Sequence, residues 1–387
     1  MCRPLFSHPF RLFFLCVGLY GVLVVLAWMF YLFGPHVLPL GWSPLHWHSH
    51  EMLFGLISAA IAGFILTAVC NWTGAAPLKG NKLMLLGGLW LAGRIAFWLA
   101  GWLPLWLVML LDVVFLPALG LLLLRVLIAH GNTRNLLLGG IILALASANI
   151  LMHIGFITGA TSWLKHGEML ALNLISLIMA VIGGRIIPMF TGNWLRNHMA
   201  TSQPLVHPLL DKACLLSLAL LIPADILGQQ ALTGALALLA FALNAGRWLG
   251  WKGWHTWPEP LLWILHVGYG WLVISLLLKG LASFDLVPPS ASLHALGTGA
   301  MGTLVLGVMT RVALGHTGRP LQLPHFAWLI YAAISLAALC RVSAALGWID
   351  YRIGLMLTAT GWCIAFALFV VLYWPILSRP RVDGRAG

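Results

Sequence analysis

Apolar runs of about 20 residues, long enough to cross a ~30 Å hydrocarbon core at about 1.5 Å rise per residue, recur from end to end of the chain. Only short polar breaks separate them. The pattern predicts twelve transmembrane helices, near residues 12–33, 48–71, 83–101, 103–127, 136–158, 168–190, 209–227, 230–249, 260–280, 291–312, 325–347 and 352–377. The runs are continuous rather than alternating with a period of two, so the spans are helices that satisfy their own backbone groups, not strands of a barrel. The expectation is an all-α polytopic membrane helix bundle, with residues 1–387 forming a single transmembrane domain. The first run continues to Phe33 without a small-residue cleavage site, so it reads as a retained span rather than a signal peptide.

Composition agrees with this pattern. Hydrophobic residues make up 61% of the chain and charged residues 8%, against roughly a quarter charged in a soluble domain; the solvent for most of this surface is lipid. The net charge of +12 is scattered between the runs, which points to cytoplasmic loops and not to nucleic acid. The N-terminal tail and the even-numbered connections carry Lys or Arg at 3/11, 79/82, 125/134, 196/212, 247/252 and 311/319, and the C-terminal tail adds 379, 381 and 385. The odd-numbered connections carry only Lys165, Lys279 and Arg352, so both termini are expected on the cytoplasmic side. Six cysteines without CxxC or CxxCH spacing argue against a thiolate metal site and against covalently attached haem.

Orientation gives depth. His46, His48, His50 and Glu51 fall at the outer mouth of the second span, His153 near the outer end of the fifth, and His294 at the outer start of the tenth. Arg11, Arg185, His266, Arg311 and His316 form an inner layer, roughly 20 Å away along the membrane normal. In HWHSHEML, His46 and His50 share a helix side at i, i+4, and imidazole pairs suit haem iron, copper or zinc. Ionisable groups inside a span are costly enough to suggest function, although an interfacial cluster could simply be solvated. Asn149 stands one turn before His153 and could orient its ring or merely bond a neighbouring helix. Gly270 lies one turn from His266, and Gly297, Gly299, Gly302 and Gly307 mark a smooth face between His294 and Arg311. Such glycines leave room for a flat ligand or let helices approach closely. Arg94 and Asp112 flank a short outer turn at nearly equal distances and read as a structural ion pair. Trp42, Trp47, Trp72, Trp102, Trp163 and Trp374 sit near span ends, as an aromatic belt does. No P-loop, GxSxG, HExxH or dinucleotide fingerprint occurs, so an enzymatic role would rest on metal chemistry.

The segments SHPFRLFFL (7–15), HSHEMLFGLISAAIAGFILTAVCNWTG (48–74), GGRIIPMFTGN (183–193) and HALGTGAMGTLVLGVMTRVALGHTGRPL (294–321) resemble the signature of the NnrS family, over almost the full length. That resemblance implies an inner-membrane protein of the bacterial nitric oxide response, containing haem b and copper, often encoded with denitrification functions and protecting against nitrosative stress. It implies His48, His50, His153, His266, His294 and His316 as metal ligands and Glu51 as the catalytic residue. Tyr269, Arg311 and, from the inner layer, Arg11 and Arg185 are the implied cofactor-binding residues, the arginines facing haem propionates. Cys70 departs from the family's proline before Asn71-Trp72.

The expected partners are nitric oxide, the lipid bilayer and an electron donor of unknown kind. The favoured function is binding or reduction of nitric oxide, the latter as an oxidoreductase, at a haem and copper site. Two other classes stay open: a transporter of metal, haem or a small molecule, against which no repeat between the halves is evident, and a sensor that binds nitric oxide without turnover.

Overall fold

The computed structural model describes residues 4–34, 39–198 and 202–384. Arg3 and Arg385, which enter the charge count, lie outside the described residues. Among those described there are helices and turns but no strand. Twelve helices correspond one to one with the twelve predicted spans: α1 Pro9–Phe33, α2 Pro44–Thr73, α3 Asn81–Trp98, α4 Leu105–Ala129, α5 Leu136–Thr158, α6 Thr161–His198, α7 Pro208–Ile226, α8 Gln230–Gly250, α9 Pro260–Ser283, α10 Pro289–His316, α11 Trp328–Ala345 and α12 Tyr351–Ser378.

Ten of these are long and apolar enough to cross a membrane, fewer than the twelve expected. The other two are α3, which carries Lys82 and Arg94, and α7, which carries Asp211, Lys212 and Asp225. Those charges dilute the apolar runs. Lys279, counted above as a loop residue, lies within α9. Its ammonium bonds to Asp225 of α7 at 2.5 Å, and Asn173 of α6 also donates to Asp225, at 2.6 Å.

The helix ends follow local chemistry. Helix α2 starts at Ser43, whose hydroxyl accepts from the His46 amide, with Pro44 in the first turn. It stops at Gly74, left-handed at φ +75°, whose amide bonds the Cys70 carbonyl at 2.8 Å. Helix α4 is interrupted at Val114, because Pro117 has no N–H to offer the carbonyl one turn back. Two helices widen to π geometry immediately after a histidine: α2 over Glu51–Ile57, following His50, and α10 over Ala295–Met301, following His294. Such widening is common at functional sites.

The chain packs as two compact units. The first comprises Met1–Leu172, Val312–Pro320 and Phe369–Gly387, and the second Asn173–Arg311 and Leu321–Leu368. In the first, Phe10, Phe13, Phe14 and Val17 of α1 are buried with Leu119 and Leu123 of α4. In the second, Leu261, Ile264 and Leu265 of α9 are buried with Tyr331 and Ile334 of α11. Exposed Leu23, Leu121, Ile128 and Val371 are the residues a lipid-facing surface calls for.

Candidate metal centre

Four helices of the first unit bring polar side chains to one buried point. Helix α2 supplies His50 and Glu51, α3 supplies Arg94, α4 supplies Asp112, and α5 supplies Asn149 and His153; all six are buried. Successive residues of an ordinary α-helix point about 100° apart. His50 and Glu51 straddle the start of the π stretch, and both face the cluster, with His50 Nδ1 3.1 Å from Glu51 Oε1.

Arg94 is the hub of charge, donating through Nη1 to Glu51 Oε1 and through Nη2 to Asp112 Oδ1. The other oxygen of Asp112, Oδ2, lies 3.1 Å from His50 Nε2, 2.8 Å from His153 Nε2 and 2.9 Å from Asn149 Nδ2, which donates to it. Trp98 Nε1 is shared between Glu51 Oε2 at 3.3 Å and the Tyr20 hydroxyl at 2.8 Å. Apolar rings close the site: His50 stacks on Phe97 with centroids 3.8 Å apart, and Trp42 lies 5.4 and 5.5 Å from His50 and His153. Gly55 is required beside this cluster, since a Cβ there would stand 2.8 Å from the Tyr20 ring and 3.0 Å from Arg94 Nη1.

His50, Asp112 and His153 each offer one potential ligand atom, and these atoms lie within 4.8 Å of one another. The donor chemistry fits a cation. A neutral imidazole has one N–H and one lone pair, yet oxygen acceptors face both nitrogens of His50: Glu51 Oε1 at Nδ1, and Asn149 Oδ1 at 2.9 Å with Asp112 Oδ2 at Nε2. With a neutral ring and ionised carboxylates, one lone pair points at oxygen. A metal ion on the Nε2 side removes that conflict, leaving Nδ1–H to donate to Glu51, the usual order of carboxylate, histidine and metal. Charge agrees: two carboxylates against one guanidinium leave one negative charge for a cation to offset when all three are ionised.

The family model described as NnrS protein matches residues 4–381. The chain belongs to the NnrS family. It is thus a multi-pass membrane protein related to the nitric oxide response. Among curated proteins none matches it.

In this NnrS protein the remaining candidates are spread over both units. His48 stacks on Trp28 of α1, 4.6 Å between centroids, and turns away from His50. The imidazole that joins His50 comes from α5 rather than from the same HxHxH run, with the two rings 5.3 Å apart. Asn149 spends its amide on His50 and Asp112 instead of His153. Arg11 donates to the carbonyls of Leu377 and Arg379, each at 2.7 Å, and so caps the C-terminus of α12. His316 lies beside Phe10, 5.6 Å between rings.

The second unit holds His266, His294, Arg185, Arg311 and Tyr269. His294 Nδ1 faces the Ser290 carbonyl at 2.7 Å, which puts the proton on Nδ1 and the lone pair on Nε2, the nitrogen that would hold a haem iron. His266 is less suited. Its Nε2 contacts the Thr191 hydroxyl at 2.8 Å; Nδ1 is buried without a hydrogen-bond partner among the described residues, but a Cβ at Gly253 would stand only 2.4 Å from it, so little room is left on that side. Arg311 lies over the Phe190 ring at 4.2 Å. The Tyr269 hydroxyl donates to Asn244 Oδ1 at 2.7 Å and accepts from Arg247 Nη1 at 3.2 Å.

Sequence reasoning missed Asp112 as a candidate ligand, having read it with Arg94 as purely structural. The available signal was an acid and a base inside spans that antiparallel packing brings level. Trp42 and Trp47, read as belt residues, are buried, whereas Trp102, Trp163 and Trp374 are exposed at span ends.

Proposed function

We propose that this protein resides in the bacterial inner membrane, holds copper at His50, Asp112 and His153, and there binds and reduces nitric oxide, protecting the cell against nitrosative stress. The observation that carries the reading is the meeting of His50 and His153 at one buried carboxylate oxygen of Asp112. Three protein ligands leave a coordination position open. Nitric oxide is small, neutral and lipid-soluble, so it reaches a buried centre laterally without a polar channel.

Bound copper would supply a soft site for nitric oxide and a route for electrons. The protein's residues do the rest. Asp112 and the two imidazoles set the donor geometry, while Phe97 and Trp42 exclude water. Arg94 holds both carboxylates in place. Glu51, hydrogen-bonded to His50, Arg94 and Trp98, is the group placed to carry a proton to the site. Reduction of two nitric oxide molecules consumes two protons and two electrons and releases nitrous oxide and water, the electrons coming from a separate donor. Haem b, held through His294, would supply one-electron transfer.

Metal analysis of the purified protein together with nitrous oxide detection tests this reading. Stoichiometric copper that disappears in His153→Ala, with nitrous oxide formed from nitric oxide and a reductant, is the expected result. Iron in place of copper would reassign the metal, because two histidines and one carboxylate also suit non-haem iron. Absence of any metal from wild type would end the proposal.

A further inference from the structure

Helices α10 to α12 repeat the frame of α2 to α4 with different charges. In each frame a histidine, His50 or His294, immediately precedes the π stretch. Glycines follow at the same intervals, five and thirteen residues on: Gly55 and Gly63 in one, Gly299 and Gly307 in the other. In the next helix an arginine, Arg94 or Arg341, stands shortly before a Gly-Trp turn, at Gly101-Trp102 or Gly347-Trp348. Eleven residues after the turn glycines come Asp112 and Thr358. This correspondence escapes a direct comparison of the halves, because it pairs early helices with the last ones and preserves only a few residues.

The two arginines meet opposite surroundings. Arg94 bonds Glu51 and Asp112. At the positions matching those carboxylates the second frame has Ala295 and Thr358, and the Thr358 hydroxyl is spent on the carbonyls of Gly354 at 2.7 Å and Ala337 at 3.3 Å. Arg341 is nevertheless buried, at 6% exposure, and its Nη1 has no hydrogen-bond partner among the described residues. Among the described residues its Nη2 bonds the Tyr351 hydroxyl at 3.4 Å and the guanidinium lies over the Tyr351 ring, 5.3 Å from its centroid, but no carboxylate lies within ion-pair distance. A buried guanidinium without an anion is costly, and its planar fork matches two oxygens of one oxyanion.

We propose that Arg341 and Tyr351 form an oxyanion-binding site, the charge-inverted counterpart of the metal centre. Where the first frame uses two carboxylates against its arginine and has charge left for a cation, the second leaves its arginine without a carboxylate, open to an anion. Tyr351 is 56% exposed and Trp348, on the same turn, is 75% exposed. Aromatic residues so placed mark the membrane interface, where the oxyanion is either a lipid phosphate group or a free phosphate-like ion. The site does not depend on the metal reading.

The test uses the full chain purified in a neutral detergent, with unfolding temperature as the readout and metal content as an independent control. Inorganic phosphate, balanced against chloride at equal ionic strength, is one titrant; phosphatidylglycerol, compared with phosphatidylcholine, is the other. Wild type should gain thermal stability in a saturable way with at least one of them. A phosphate response assigns a free oxyanion, and a response to phosphatidylglycerol alone assigns a headgroup. Arg341→Gln should abolish the gain, Arg341→Lys should keep part of it, and metal content should be the same in all. If Arg341→Gln does not insert, Tyr351→Phe serves in its place and should raise the half-saturating concentration several-fold. No response in wild type, or an undiminished response in either Arg341→Gln or Tyr351→Phe, overturns the proposal.

Discussion

Arg94 divides the two oxygens of Asp112: its Nη2 takes Oδ1, which leaves Oδ2 turned toward His50 Nε2 at 3.1 Å and His153 Nε2 at 2.8 Å. An isolated carboxylate could rotate and offer either oxygen to either partner. Held by the guanidinium, it presents one oxygen to both imidazoles, so that all three groups could donate to a single ion.

Asp112→Asn keeps the shape of the side chain but removes a charged donor, and His153→Ala removes a ring. Both are expected to lose copper. Glu51→Gln, at a residue that meets His50 through Nδ1, the nitrogen away from the metal, should weaken metal affinity by about 10–100-fold. Copper competition with a chelator of known affinity measures all three, and an unchanged affinity in Asp112→Asn would remove it from the ligand set.

Arg94→Gln leaves Glu51 and Asp112 buried without their counter-charge. Breaking a buried pair from one side costs about 3–5 kcal/mol, so this variant should show a clear fall in unfolding temperature and in yield. Arg94→Lys should recover only part, because one ammonium cannot repeat the two-armed contact. Equal stability of Arg94→Gln and wild type would mean that the cluster is not ionised.

A haem held through His294 should give a Soret band that His294→Ala abolishes. The same band should survive His266→Ala, since the Nε2 of that ring already faces the Thr191 hydroxyl. An absorption spectrum of each purified variant decides it. The reverse pattern would move the axial ligand to His266, and no band in wild type would leave copper as the sole cofactor.

His8 precedes α1, and burial, followed by the charges of Arg11, His316, Arg381 and Lys79, lowers its pKa to about 4. Above the usual value of about 6.5 the ring is neutral in both folded and unfolded chains and makes no difference to stability. As pH falls from there toward 4 the unfolded chain takes up the proton first, so the folded state loses ground across that window. Unfolding temperatures of wild type and His8→Gln should diverge there, with wild type the steeper. Parallel curves would show that His8 is not held neutral.

Alkaline phosphatase fused after Gly384 should be inactive and fused after Gly159 active, as the bias of Lys and Arg toward the even-numbered connections and both tails requires. Activity at the C-terminal fusion would invert the orientation and with it the depths assigned to both histidine layers.

The order of the helices and most of their bounds were legible in the sequence, because a segment in lipid must satisfy its backbone internally and so announces itself as an apolar run; the ends of α6, Thr161–His198, were not, since it continues past its apolar run of 168–190 at both ends. The full-length family motifs were legible too, and with them His50, Glu51 and His153 as residues of interest. Partnership was not. Helical periodicity pairs His50 with His46 and His153 with Asn149, whereas the π stretch after His50 and the packing of α2 against neighbouring helices pair His50 with His153, Asn149 and Asp112. Arg94 and Asp112 could be read as a pair from their distances to the turn, but not as parts of a site, since nothing in one dimension places α2 and α5 beside them. Sequence fixes which groups must be buried in lipid; only tertiary packing decides which buried charges share an oxygen, because that depends on the rotation of four helices about their axes.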